Sequence, residues 1–333
     1  MPEAVWFDAP GHVDIRREPV PSVGPNEVRI QALVSGLSAG SELLVYRGQV
    51  PRDLSPDLPT IGGDFAFPVK FGYASVCRVV EAGPGVALGV DSLVFAHHPH
   101  QTEYVVPADF PIWLPPDLPP EIAVFSANLE TAITVTLDAH PRLGEAVVVM
   151  GQGVVGLLIT MLLRRVGASP IVTVDAHPRR REASLAAGAD HALGVDGVLG
   201  DRVLELTEGR GFDVAVDVSG SAAGLQACID TVAFAGTIVV ASWYGTRDAT
   251  LALGGAFHRR RVRVLSSQVS TLDPTMTPRW DRARRTALVT ELLHELPLAG
   301  LVTHRYPFHE AAAAYELLDR TPEDCVQVVL DYV

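Results

Sequence analysis

Lysine and cysteine are the scarce residues of this 333-residue chain. Lys70 is the sole lysine, so a Schiff-base or phosphate-loop mechanism would rest on that one side chain. Cys77, Cys228 and Cys325 stand far apart with no C-x-x-C pair, which excludes a disulfide scaffold and fits a reducing compartment. Positive charge is short as well. Twenty-six Lys and Arg face 39 Asp and Glu, a net charge of −13, which argues against a nucleic-acid binder or a membrane-surface protein. The preference for arginine over lysine reads as the composition of a GC-rich genome. Residues 1–7 lack the basic and apolar regions of a secretion signal, so a cytoplasmic location is expected. The longest apolar run, 146–163, is broken by Gly151, Gln152, Gly153 and Gly156, and strand-turn-helix grammar explains it better than a membrane span does.

What is present is enough apolar sequence for real cores, 48% of the chain with 20% charged, which excludes disorder. Up to about residue 125 the chain is rich in Val, Gly and Pro. Short alternating runs at 28–34, 74–81 and 92–95 are separated by turn signals such as Gly24-Pro25 and Gly83-Pro84-Gly85, so this part reads as short barrel-like strands. The grammar then changes. Apolar strands are predicted at 146–150, 170–175, 212–217, 236–241 and 262–267, with helices to about 165 and over 180–187 between the first of them. Strands and helices alternating at this spacing imply a parallel, doubly wound sheet. Helices over 280–296 and 311–318 and a last strand at 326–330 close the chain.

Gly151-Gln152-Gly153-Val154-Val155-Gly156 is a G-x-G-x-x-G that follows a predicted strand and opens a predicted helix. The first glycine permits the tight turn, the second lets backbone approach a pyrophosphate, and the third lets helix and strand pack closely. The helix start offers free N–H groups and a partial positive charge to phosphates, so Gly151, Gly153, Val154, Val155 and Gly156 are expected to bind a dinucleotide. Asp175 ends the next strand, 24 residues after Gly151. Its carboxylate would accept bonds from ribose hydroxyls and repel a 2′-phosphate, favouring NAD over NADP. Arg179, Arg180 and Arg181 leave NADP as the alternative, since an arginine there, Arg180 above all, would accept that phosphate; otherwise they are the solvated start of a helix.

With these residues in view, the sequence resembles the medium-chain dehydrogenase/reductase, alcohol-dehydrogenase-like superfamily over essentially its whole length. Residues 72–86 fall on the family's G-H-E…V…G-x-G-V segment, 102–108 on its A-E-Y-V-V-V-P segment, and 301–308 on its closing L-I-T-H-x-x-P-(L/F) element. The resemblance implies a GroES-like β-rich catalytic domain (1–126 and 270–333), a Rossmann NAD(P)-binding domain (127–269), an active site in the cleft between them, and a homodimer in which 262–267 is an edge strand. It also implies that Thr131 lies against the nicotinamide, with Ser219, Gly220, Tyr244 and Gly245 at the carboxyl edge of the sheet.

The departures bear on mechanism. The family's zinc-ligand positions fall at Ala39, Tyr73 and near Ala127, and its four-cysteine structural loop is absent. Alanine has no lone pair and tyrosine is a poor zinc ligand at neutral pH, so no zinc is expected. His97, His98 and His100 are either a metal cluster, joined by Glu42 or Glu130, or polar residues lining a cleft or covering a domain seam. Ser41 falls at the hydroxyl of the family's proton relay; it is that hydroxyl or a helix-cap serine. Leu44 interrupts the usual continuation through histidine. Tyr73 is either a phenol of lowered pKa acting as general acid/base or as an oxyanion donor, or an aromatic filling the vacated metal space. His100 and Glu130 are further candidates for proton handling. The expected function is a zinc-independent NAD(P)-dependent oxidoreductase interconverting a secondary alcohol and a ketone. The alternatives are reduction of an activated C=C bond, as in the superfamily's quinone and enoyl reductases, and a catalytically silent nucleotide binder.

Overall fold

A computed structural model of the chain describes residues 1–56, 63–87, 89–196 and 199–332. They form two compact units, Met1–Ala127 with Ala287–Val333, and Asn128–Thr286.

The first unit is β-rich. Strands β1 (Glu3–Ala9) and β2 (His12–Arg17) pair as an antiparallel hairpin. They are followed by β3 (Glu27–Leu37), helix α1 (Ser41–Tyr46), β4 (Ser75–Ala82), β5 (Leu93–Ala96), β6 (Glu103–Pro107), β7 (Ile112–Trp113) and the single turn α2 (Pro120–Ala123). Burial alternates along β3 and β6, as the period of two requires for strands with one face in a core. Val28, Ile30, Ala32, Cys77, Val79, Val94 and Tyr104 form that core.

Helix α3 (Ser126–Ala139) leads into the second unit. There β8 (Val147–Met150), α4 (Val154–Val166), β9 (Ile171–Val174), α5 (Pro178–Ala186), β10 (His191–Leu193), α6 (Leu199–Leu206), β11 (Phe212–Asp217), α7 (Ala222–Thr231), β12 (Val232–Val240) and β13 (Arg263–Ser266) follow in order. Every residue of β8 and β9 is buried, because helices cover both faces of a parallel sheet. Helix α4 stops at Gly167, whose φ of +80° takes the left-handed cap a side chain disfavours. The sheet order is β10-β9-β8-β11-β12-β13, all parallel, which is the 3-2-1-4-5-6 order of a dinucleotide fold. Register aligns Met150 with Val174 and Asp217, and Asp217 with Val240, so the strands end along one line. The switch point of such a sheet lies at the carboxyl ends of β8 and β11.

The chain then returns to the first unit through α8 (Arg282–Glu295), β14 (Val302–Pro307), α9 (Ala311–Arg320) and β15 (Gln327–Asp331). β15 pairs with β3, extending the sheet to β14-β15-β3-β4-β5-β7, with β6 on β3 as well. Two chain ends therefore build one sheet, as the resemblance implied. The expected boundary at 269/270 is corrected: residues 270–286 keep with the second unit. The reason is Arg285, which is buried and donates to the Val269 carbonyl (2.6 Å) and the Thr134 hydroxyl (3.0 Å) of α3. Among the described residues one helical stretch, Pro120–Ala139, has the length and apolarity of a membrane span, and 72% of it is buried in the protein.

His98 gives this fold an acid-sensitive point. Its ring stacks on Tyr104 with centroids 3.5 Å apart, and Nδ1 lies 2.9 Å from the Pro99 carbonyl. Burial pulls the imidazole down from 6.5 to about 3, against the Pro99 bond. The unfolded chain takes up this proton near pH 6.5 and the folded one only near 3, so stability falls as pH drops through that window. His98→Asn keeps a donor near the Pro99 carbonyl and takes up no proton. Its loss of stability between pH 7.5 and 4.5, measured by urea unfolding, should be about 2 kcal/mol smaller than that of the unsubstituted protein.

Candidate functional site

In the second unit the site is built on the turn after β8. Gly151 has φ +96°, and a Cβ there would lie 2.9 Å from Ser219 Cα on the neighbouring strand end. A Cβ on Gly156 would lie 2.0 Å from the Gly151 carbonyl oxygen. Gly153 differs: nothing lies within 4 Å of its Cβ position, and it is the N-cap of α4 with no side chain closing the helix start. The first-turn amides of Val154, Val155 and Gly156 have no acceptor within the helix. Open space, uncapped amides and the positive end of a 13-residue helix meet at one point, which fits a pyrophosphate.

Asp175 is buried beside this turn. Its Oδ2 accepts the Gln152 amide (2.7 Å) and its Oδ1 the His177 amide (2.8 Å). The sequence reading gave Asp175 only to the ribose; here it also braces the glycine turn, with a lone pair left on each oxygen. Gln152, which sequence reasoning passed over, is fully buried, donates to the Gly151 carbonyl and accepts from the Thr160 hydroxyl. Arg181 turns inward onto the carbonyls of Asp175 and Ala176, while Arg179 is exposed and Arg180 half-buried in the first turn of α5.

Asp217, at the end of β11, was also missed, although it closes a strand just as Asp175 follows one. Fully buried, it accepts the Ser219 amide (3.1 Å) and hydroxyl (2.6 Å) on Oδ1 and the Tyr244 hydroxyl (2.8 Å) on Oδ2. The Gly220 amide donates to Ser242 Oγ at 2.8 Å. Ser219 and Tyr244 are thus brought together around one carboxylate, with Gly220 held beside them by Ser242, and burial followed by the Asp217 charge pushes the Tyr244 phenol up. Gly245 takes the next turn at φ +62°. Thr131 is half-buried on α3. Glu130 is corrected as a proton-handling candidate: it is buried, with Arg285 Nη2 3.7 Å away, and serves the anchor that holds 270–286.

In the first unit the Tyr73 hydroxyl lies 2.9 Å from Ser41 Oγ, which is 3.3 Å from Ser38 Oγ. Ser41 is not a helix cap. Gly40 holds the N-cap position of α1, so the serine hydroxyl is left for Tyr73. The expected lowered phenol is corrected too. Burial, and after it the negative charge of Glu42, push Tyr73 up to about 12, so the side chain is a neutral donor at ordinary pH. His100 is fully buried, with Nε2 3.0 Å from Glu42 Oε2 and Nδ1 2.7 Å from Ser35 Oγ. That burial removes it from direct proton transfer to a substrate. The three histidines part company: His97 meets the edge of Phe95, His98 stacks on Tyr104 and His100 pairs with Glu42. Among the described residues no group of three or more His, Cys, Asp or Glu side chains is placed to hold a metal.

A family model described as zinc-binding dehydrogenase matches residues 154–284. An alcohol dehydrogenase of Cupriavidus necator is 25% identical over 370 aligned positions, covering 99% of this chain and 98% of the relative. Along its whole length the chain is thus similar to medium-chain, alcohol-dehydrogenase-like proteins. D-guloside 3-dehydrogenase of Escherichia coli K12 is 29% identical over 195 residues, and the chain spans 56% of that relative's length. An alcohol dehydrogenase from Escherichia coli CFT073, solved with NADH, superimposes with a TM-score of 0.80 over 99% of both chains at 19% identity, a likeness of fold. The nucleotide-binding features of the superfamily are present in the turn at Gly151–Gly156. Its zinc is another matter: Ala39, Tyr73 and Ala127 supply no N or S donor, so the donor set does not fit the ion.

Asp175→Ala should leave two backbone amides unpaired. It is expected to cost about 2 kcal/mol in denaturant unfolding and to weaken dinucleotide binding, read by nicotinamide fluorescence, at least tenfold. Relative use of NADP over NAD should rise; an unchanged preference would remove the ribose contact from its roles.

Proposed function

We propose that the protein is a zinc-independent, NAD(P)-dependent oxidoreductase that interconverts a secondary alcohol and a ketone. The observation that carries this reading is the Tyr73–Ser41 hydroxyl pair at positions where relatives would hold a metal and its relay. Bound at the Gly153 opening, a nicotinamide nucleotide supplies or accepts the hydride. The chain's own residues handle the oxygen. As a carbonyl carbon gains hydride, negative charge grows on its oxygen, and the neutral Tyr73 hydroxyl donates to that oxygen. The proton passes from the phenol to the new alkoxide, and Ser41, bonded to Tyr73, offers the route for its replacement. In the oxidation direction the steps reverse: a proton first leaves Tyr73 through Ser41 to water, and the phenolate oxygen then takes the alcohol proton as the hydride departs. Asp175 supports NAD, with NADP as the alternative.

Tyr73→Phe should lower kcat by about two orders of magnitude while leaving nucleotide binding intact. The unsubstituted enzyme should show no alkaline loss from Tyr73 near pH 10, where an ordinary phenol ionises. A panel of ketones and enones decides the reaction: turnover of enones with none of ketones would replace this reading by reduction of an activated C=C bond. Tight NADH binding with neither activity would leave a nucleotide binder.

We also propose a cytoplasmic homodimer joined through β13. This edge strand is exposed along its whole length, Val264 and Leu265 being 43% and 41% exposed, and a two-fold axis would pair it with its own copy. Light scattering should give twice the 35.6 kDa chain mass. Val264→Glu with Leu265→Glu should return it to the monomer; an unchanged mass would move the interface elsewhere.

A further inference from the structure

Glu42 is fully buried one residue after Ser41, and Gly72 immediately precedes Tyr73. Both meet the His100 imidazole. A Cβ on Gly72, whose φ is +146°, would lie 2.8 Å from His100 Cδ2 and Nε2, so the ring occupies the space that any other residue would need there. On its far side His100 reaches Ser35 Oγ, which in turn lies 2.8 Å from the Tyr332 hydroxyl. Glu42 Oε2 accepts the Tyr315 hydroxyl at 2.7 Å as well as His100. A carboxylate can only accept, so His100 Nε2 carries a proton. Among the described residues Glu42 Oε1 is buried with no hydrogen-bond partner, and no lysine or arginine pairs with this carboxylate.

We propose that Glu42 and His100 form a positioning dyad: His100 wedges the Gly72–Tyr73 backbone into register with α1, and Glu42 places a buried negative charge behind the Tyr73–Ser41 hydroxyl pair. The proposal rests on the reading of that pair as the group that meets the substrate oxygen. A metal ion would draw protons off the oxygens around it, whereas a buried carboxylate does the reverse. Without the donors for a cation, the charge left beside the hydroxyl pair among the described residues is that of Glu42 alone, and the chemistry shifts from Lewis acid to neutral hydrogen-bond donor. The raised Tyr73 phenol agrees, burial being the larger cause and Glu42 the next. Among the described residues the ionisable groups facing the dyad are Tyr73, Tyr315 and Tyr332, with Cys77 beyond Tyr332 and the buried His98 on the His100 side, and no lysine or arginine is among them.

The test is direct titration of Tyr73 by NMR of protein labelled at tyrosine 13Cζ, the resonance being assigned by its loss in Tyr73→Phe. In E42Q its midpoint should fall by about one pH unit, and Glu42→Asp should restore it. His100→Ala should lower kcat at least tenfold with dinucleotide affinity unchanged. A Tyr73 resonance that titrates in E42Q with the wild-type midpoint overturns the proposal. Should E42Q not fold, Glu42→Met, of similar volume and without charge, decides in its place: a Tyr73 midpoint lowered by about one pH unit supports the proposal, and one equal to that of the unsubstituted protein overturns it. Turnover of Tyr73→Phe at the wild-type rate, with the E42Q shift still present, would sink the donor reading and leave the dyad standing.

Discussion

A carboxylate taken out of water must find hydrogen-bond donors, and this protein buries Glu42, Asp175 and Asp217 where its backbone has to be held in place. Asp175 draws the Gln152 and His177 amides together and so sets the glycine turn. Asp217 gathers Ser219 and Tyr244 at the next strand end. Glu42 collects His100 and Tyr315 beneath the Ser41–Tyr73 pair. In each case the acceptor is fixed first by burial, and the loops around it take the shape that supplies donors. The functional surface is a consequence of satisfying interior charge.

This constraint also explains how a zinc-binding superfamily fold accommodates a chain without the zinc ligands. Removing an ion from a cavity leaves polar groups that were arranged for a dication. Here a phenol and two serine hydroxyls are hydrogen-bonded in a chain, and a carboxylate–imidazole pair, bonded to each other, lies beside them, Glu42 following Ser41 in sequence and His100 packing against Gly72. Such a set stabilises negative charge on a neighbouring oxygen by donation. The preference for donation over proton abstraction follows from burial and from the sign of the Glu42 charge, both of which oppose formation of a phenolate.

Much of this was legible from the residues. The periodicity and the placement of Gly151-Gln152-Gly153-Val154-Val155-Gly156 gave the parallel sheet and its turn, because a period of two, a helix start and three glycines are local properties. Ser41 stood out as the hydroxyl its motif keeps and Tyr73 as the residue that interrupts its own, and the structure brings them to 2.9 Å. The misreadings share one cause. Glu130 and His100 carry chemistry-bearing side chains, yet Arg285 and Glu42 claim them from 155 and 58 positions away, and nothing local announces those partners. The boundary expected at 269/270 failed for the same reason, since Arg285 ties 270–286 back to α3.

The sequence by itself determined what is decided over a few residues: the elements, the dinucleotide turn, and the loss of donors at the metal positions. Only the tertiary structure decided protonation and reach, which depend on burial and on charges distant along the chain. A lone tyrosine reads as acid, base or filler. Folded beside Glu42 and half-buried, Tyr73 becomes a neutral donor, because desolvation and a like charge both disfavour its anion.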